Sequence, residues 1–285
     1  MNELPIPLPI VVGIDGSKAA MRAALWAVDE AVSRDVPVRL LYAIEQGIAP
    51  EAEPEAAARN LGTAETAVHR AVMAIEGMGQ PVKIETEIVQ GPPIGSLIAA
   101  SASAAMVCVG AIGLRHFRPA RVGSIAAAVA LSAQCPVAII REPHNQSRRP
   151  VHRIVVEVDK SRDNDVLLGL AMEEARLRNA TVEAIICRRI VSDDIAAEGE
   201  GDRQAMADLN RRLARWKHRY PDLAVESVAV RSTFMEFLAY NRRTVQLVIV
   251  DAHNREHVKE LIGPVGSAIL HDADCSLLIV NRQHL

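Results

Sequence analysis

Two similar α/β domains in tandem, each a doubly wound parallel sheet with helices on both faces, are the architecture this sequence predicts. Length, duplication and alternation point to it. The chain has 285 residues, enough for about two domains. Val11–Ala43 aligns without gaps on Val155–Cys187, placing Asp15 on Asp159, Ser17 on Ser161 and Val38 on Val182; Val82–Gly110 aligns likewise on Leu223–Asp251. Within each copy, short β-branched runs alternate with helical stripes, the pattern of parallel strands joined by right-handed crossovers. Hydrophobic residues make up 49% and aromatics only 3%, so the core must be built from Ala, Val, Ile and Leu. Such small side chains suit helices lying close on a parallel sheet.

In the first copy, Ile10–Ile14 is a β-branched run bounded by turn residues, hence a buried strand. Ser17–Arg34 carries Met21, Leu25, Val28 and Val32 on one helical stripe. Val38–Ile44 is the next strand, Gly47–Pro54 a loop and Glu55–Met78 a second helix. A strand over Val82–Val89, a helix over Ile94–Ser103 and a strand over Met106–Gly110 follow. A helix over Ser124–Ala133 and a strand over Pro136–Ile140 close the unit. The polar segment Glu142–His152, with two prolines and no apolar period, reads as a linker. The domains are therefore expected at 1–145 and 150–285.

Several classes are disfavoured. A net charge of −3 is too balanced for a polyanion partner, so no nucleic acid is expected. The cysteines Cys108, Cys135, Cys187 and Cys275 form no CxxC pair or zinc spacing, and read as buried, reduced thiols. Met1–Pro9 lacks the basic start of a signal peptide. Gln90–Leu114 is uncharged and long enough to span a bilayer, but its counterpart in the second copy holds Glu236, Arg242 and Arg243; it reads as a helix and a buried strand, with no membrane expected. No nucleophile elbow, HExxH or pair of placed carboxylates emerges, so no catalytic residue is named and His116 is only a weak acid–base candidate.

Ligands of open α/β sheets sit at the carboxyl ends of the strands, where strand order reverses. Two turns of the first copy stand there. Gly13-Ile14-Asp15-Gly16-Ser17 leads from a strand into a helix. Asp15 can accept from a ribose hydroxyl or an adenine amino group, or it and Ser17 can merely cap the helix. A phosphate loop of the GxxxxGK type is rejected, because no glycine stands five residues before Gly16. The second turn holds Gly110 and Gly113, then nine residues, then Gly123 and Ser124 opening a helix. Glycines there allow positive φ and let phosphate oxygens approach main-chain N–H groups, while the helix start contributes free N–H groups and partial positive charge.

The spacing G-2x-G-9x-G-[ST], the strand-end GIDGS, QGPP at Gln90–Pro93 and CPVAIIRE at Cys135–Glu142 resemble the universal stress protein family, over the whole chain as a tandem pair. The resemblance implies a five-stranded parallel sheet of order 3-2-1-4-5 in each domain. It also implies pairing through the last strand, Val137–Arg141 against Leu277–Asn281, across a pseudo-two-fold. It implies ATP as ligand, with Mg²⁺ only as counter-ion. Gly13, Asp15 and Ala43 would line the adenine and ribose pocket; Gly110, Gly113, Gly123, Ser124 and Ile125 would hold ribose and phosphates. The implied protein is a cytoplasmic, nucleotide-dependent stress regulator, a dimer of tandem chains, with an unidentified protein partner. A slow ATPase or nucleotide-transfer enzyme, and a nucleotide-free scaffold, are the alternatives.

The loop Leu114–Val122 is unusually basic, with Arg115, His116, Arg118 and Arg121; extra charge near a triphosphate and a merely solvated loop remain equal readings, and Pro119 should stiffen it. The second copy has lost the pattern. Glu157 stands for Gly13, Asp251 for Gly110 and Asn254 for Gly113. Alignment back from Cys275 places Gly263-Pro264 on Gly123-Ser124, in preference to Gly266-Ser267. Weak or absent ATP binding is expected there, from lost backbone freedom and from a carboxylate beside phosphate. Arg203, Arg211, Arg212, Arg215, Lys217 and Arg219 precede Pro221 on a long helix, read as a solvated face paired with Asp202 and Asp208.

Overall fold

The computed structural model describes residues 7–45, 54–114, 121–141, 152–158, 164–187 and 195–281. The first half runs β1 (Ile10–Gly13), α1 (Lys18–Arg34), β2 (Val38–Ile44), α2 (Pro54–Glu76), β3 (Ile84–Gln90), α3 (Pro93–Ser101), β4 (Met106–Gly110), α4 (Ser124–Ser132) and β5 (Val137–Ile140). The second runs β6 (Arg153–Glu157), α5 (Asn164–Arg178), β7 (Thr181–Cys187), α6 (Ile195–Arg219), β8 (Val225–Val230), α7 (Phe234–Asn241) and β9 (Val245–Asp251), then α8 (Arg255–Ile262), α9 (Pro264–Asp272) and β10 (Ser276–Val280).

All ten strands form one sheet of order β3-β2-β1-β4-β5-β10-β9-β6-β7-β8. Each half thus has the expected 3-2-1-4-5 order, and every pair within a half is parallel. The halves meet at the antiparallel pair β5·β10, with Leu278 opposite Ala138, as the family resemblance implied. Central strands such as Ile10–Val12 are fully buried on both sides, which is why they read as unbroken β-branched runs. One face of the sheet packs α1, α2, α5 and α6; the other packs α3, α4, α7, α8 and α9.

The duplication reaches into helix ends. Ser17 caps α1, its hydroxyl accepting from the Ala20 N–H at 3.0 Å. Asp35 ends α1 at φ 53°, and Asn179 follows α5 at φ 48°, aligned positions in the same left-handed conformation. The aligned Glu30 and Glu174, and Arg34 and Arg178, meet where α1 and α5 pack across the pseudo-two-fold. Arg178 bridges Glu30 and Glu174 at 2.7 Å each; Arg34 lies 3.0 Å from Glu30 and 3.8 Å from Glu174. Both carboxylates are only 1% exposed. Burial, reinforced by the nearby Glu30 charge, raises the Glu174 carboxyl to about 8 against the pull of Arg178 and Arg34.

Two smaller expectations need adjustment. Cys108, Cys135 and Cys275 are buried free thiols, but Cys187 is only half-buried. On α6, Asp208 does pair with Arg211, yet Arg215 reaches Asp165 of α5 at 2.5 Å. The Asp202 side chain lies outside the described residues.

Candidate functional site

The two glycine-patterned turns of the first half lie side by side at the carboxyl ends of β1 and β4, neighbours in the sheet. The Ile14 N–H donates to the Leu41 carbonyl at 2.9 Å and keeps the first turn flush with β2. Gly16 then takes φ +83°, a left-handed conformation costing other residues about 1 kcal/mol. The half-buried Asp15 joins the two turns: one oxygen accepts from the Ser17 N–H at 2.8 Å, the other from the Leu114 N–H at 3.0 Å. The N-cap itself is Ser17, so capping does not explain Asp15 alone. Each of its oxygens keeps a second lone pair for a ligand.

In the second turn, the Ala111 N–H donates to Ile140 and the Gly123 N–H to Ala111, at 2.9 and 2.8 Å. Gly123 is the N-cap of α4, with φ −64° and no side-chain cap bond. The first helical bond of α4 is Ala127 N–H to Gly123, leaving the N–H groups of Ser124, Ile125 and Ala126 at an open helix start. Ser124 is exposed, Ile125 half-buried, and the first turn of α4 carries no acidic residue. Ala43, Val89, Ile112, Val122 and Ile125 are half-buried on this same face of the sheet. The site thus offers an apolar wall, a helix start and a carboxylate, a set suited to a small anionic ligand with an apolar part.

Why these positions are glycine differs from the expectation. Positive φ among described glycines occurs at Gly16, Gly79 and Gly91, not at Gly13, Gly110, Gly113 or Gly123. Proximity is the physical reason. A Cβ on Gly110 would lie 2.6 Å from the Ala19 carbonyl carbon, so this glycine lets α1 sit on β4. A Cβ on Gly113 would lie 2.8 Å from the Asp15 carboxylate, closing the space between the turns. A Cβ on Gly123 would be 3.6 Å from the Ala111 oxygen, an ordinary contact, so what glycine contributes there is open space before the helix. Gly13 faces Leu97 and Val109 at about the limit of close packing, 3.3–3.4 Å. Arg115, His116, Arg118 and Pro119 lie outside the described residues; Arg121 is exposed just before the cradle.

The same place in the second half is filled. Glu157 ends β6, and its carboxylate lies 3.1 Å from the His257 imidazole of α8, a ring packed 5.2 Å from Phe234. Cys187, aligned with Ala43, has its thiol pushed far up by burial and the adjacent Glu157 charge. Asp251 turns back on its own loop, accepting from the His253 N–H at 2.9 Å. Gly263 is the N-cap of α9, in the register preferred from sequence, but it also ends α8. Carbonyls from the last turn of α8 press on the first turn of α9. A Cβ on Gly263 would lie 2.8 Å from the Lys259 oxygen, and one on Gly266 2.3 Å from that of Glu260. The start of α9 thus abuts the last turn of α8, whose carbonyls carry that helix's partial negative charge.

Helix α8 was not foreseen. Its signals are an Asn254 cap accepting from the His257 N–H, apolar Val258, Leu261 and Ile262, and a Glu256–Lys259 pair. Among the described residues, no group of three or more His, Cys, Asp and Glu side chains could hold a metal, and no helix is long and apolar enough to cross a membrane.

Comparison with known proteins agrees with the duplication. The model of the universal stress protein family matches residues 8–141 and again 150–281. This chain belongs to the universal stress protein family. Universal stress protein Rv2028c of Mycobacterium tuberculosis is 53% identical over 289 aligned positions that cover all of both chains. Universal stress protein Rv3134c of the same organism is 43% identical over 97% of each chain. A solved universal stress protein from Archaeoglobus fulgidus superposes with a TM-score of 0.69 over 96% of each chain at 16% identity, a likeness of fold.

Proposed function

We propose that this universal stress protein binds ATP in its first half and acts as a cytoplasmic, nucleotide-dependent regulator of a stress response. Gly13, Asp15 and Ala43 would take the adenosine. Gly113, Gly123, Ser124 and Ile125 would take ribose and phosphates through main-chain N–H groups. Gly110 contributes indirectly, by letting α1 close on β4. Mg²⁺ would enter as counter-ion of the phosphates. Pairing of tandem chains into a dimer, and a protein partner responsive to the bound nucleotide, belong to the same reading.

The observation that carries it is the contrast at the two helix starts: α4 begins uncapped beside an open turn, whereas α9 begins against the carbonyls of α8. A free helix start attracts phosphate; one faced by another helix's negative end does not. Asp15 supplies the regulatory link, because ligand on either turn acts on the carboxylate joining both.

Denaturing freshly purified protein and identifying the released nucleotide tests the reading. A single ATP per chain is expected. Protein free of nucleotide that shows no melting shift with ATP would leave only a scaffold. Turnover above background, lost on Gly123→Glu, would make it an enzyme.

A further inference from the structure

The two residues preceding the cap glycines, Val122 and Ile262, are equivalent in the repeat and are tied together by one side chain. The Ser267 hydroxyl, fully buried in α9, accepts from the Val122 N–H at 3.2 Å and donates to the Ile262 carbonyl at 2.8 Å. Gly266 makes that position possible, since any side chain there would collide with the Glu260 and Leu261 carbonyls and lift α9 away from α8. In sequence Gly266-Ser267 reads as a rival phosphate signature, but both residues are buried and neither faces an open cleft. The residue aligned with Ser267 in the first half is Ala127, which has no hydroxyl to return the bond. The tie therefore runs one way, from the closed half to the open one.

It is part of a larger clamp on α4. Arg255 of α8 donates to the Leu131 carbonyl at 3.3 Å, and Asn281, just past β10, donates to the Ala133 carbonyl at 2.6 Å. The second half thus holds α4 at both ends: at its C-terminal end through Arg255 and Asn281, and immediately before its uncapped start through Ser267. Main-chain donors bind an anion well only when their positions are fixed beforehand, because ordering them on binding costs affinity.

We infer that Ser267 is a positioning residue for the phosphate-holding start of α4, and that the second half serves the nucleotide site by fixing that start from across the domain junction. The inference rests on the reading of the first half as an ATP site. It deepens that reading by making the site incomplete without the second half. Its signature is selectivity for the phosphates: adenosine touches the part of the pocket formed by the first half alone.

The test compares the full-length wild type, Ser267→Ala and Arg255→Ala by calorimetric titration with ATP and with adenosine, alongside hydrogen exchange of the segment around Val122. Ser267→Ala is expected to weaken ATP about three- to tenfold, the size of one neutral hydrogen bond, with adenosine unchanged and the Val122 amide exchanging faster. Arg255→Ala, which frees only the far end of α4, should lower the ATP-to-adenosine ratio less than Ser267→Ala does; an equal or larger drop would move the positioning role from Ser267 to the clamp as a whole and overturn the inference. Equal losses for ATP and adenosine in Ser267→Ala, or none, overturn the inference while leaving the site intact, as does an unchanged exchange rate at Val122. A wild type that binds no ATP overturns the site reading and this inference together.

Discussion

At the carboxyl ends of β1 and β4 the first half keeps two turns apart, with Asp15 bridging them; at the ends of β6 and β9 the second half fills the same place with Glu157, His257 and helix α8. The two halves share strand order, cap positions and even left-handed residues after α1 and α5, so the difference is local. It teaches that the second half departs from the glycine pattern by an added helix as well as by the replaced glycines. A carboxylate alone would repel an anion; the carbonyl end of α8 against the start of α9 adds a second source of negative charge. Residues of α8 and α9 also bond to the main chain at and beside α4, the contacts from which the bracing role is inferred.

The largest expected effect tests where the halves remain alike. Glu30→Ala leaves Arg178 and Arg34 short of a buried partner on the pseudo-two-fold, and should cost about 3–5 kcal/mol in denaturant unfolding. Loss of less than about 1 kcal/mol would show the quartet to behave as a surface cluster.

Next come the glycines. Gly123→Glu places a carboxylate before α4 and should lower ATP affinity on the order of a hundredfold with little change in melting, since a Cβ fits there. Gly110→Ala drives a methyl into the main chain of α1 and should destabilise by about 1–3 kcal/mol. At the aligned position a side chain is already accommodated, so Asp251→Ala removes a carboxylate that accepts from the His253 N–H without driving a methyl into a helix, and should cost less. Equal costs would place the reason for Gly110 elsewhere.

A smaller effect follows from Glu174. Its carboxyl is raised from 4.5 to about 8 by burial and by Glu30, so between those values the folded state holds a proton that the unfolded state has lost. Stability should therefore fall as pH rises through that window and level off above it. Glu174→Gln, a neutral isostere, should flatten the slope; a wild type whose melting temperature rises from pH 6 to pH 8 would contradict the assignment. Smallest of all, Glu157→Gly combined with His257→Gly removes the plug's side chains but not the α8 carbonyls, and should create no second ATP site.

Much of the fold was legible because duplication constrains it twice. The uncharged Gln90–Leu114 became readable as α3 and β4 only through its charged counterpart, and the β5·β10 seam followed from the resemblance. The site was legible as a spacing, but the reason for the spacing was not. A glycine that admits a neighbouring helix, as Gly110 does, and a glycine that leaves room for a ligand look identical in sequence, and the expected positive φ fell at Gly16 instead. Ser267 was invisible because its partners are main-chain atoms 145 and 5 residues away. The charge quartet does have a sequence signal: Glu and Arg recur at aligned positions among small apolar residues of α1 and α5.

Stoichiometry of ATP binding to the intact chain, read from a calorimetric titration, tests the contrast between the halves most directly. One site per chain, abolished by Gly123→Glu, is the predicted result; two sites, or one that survives that substitution, would contradict it.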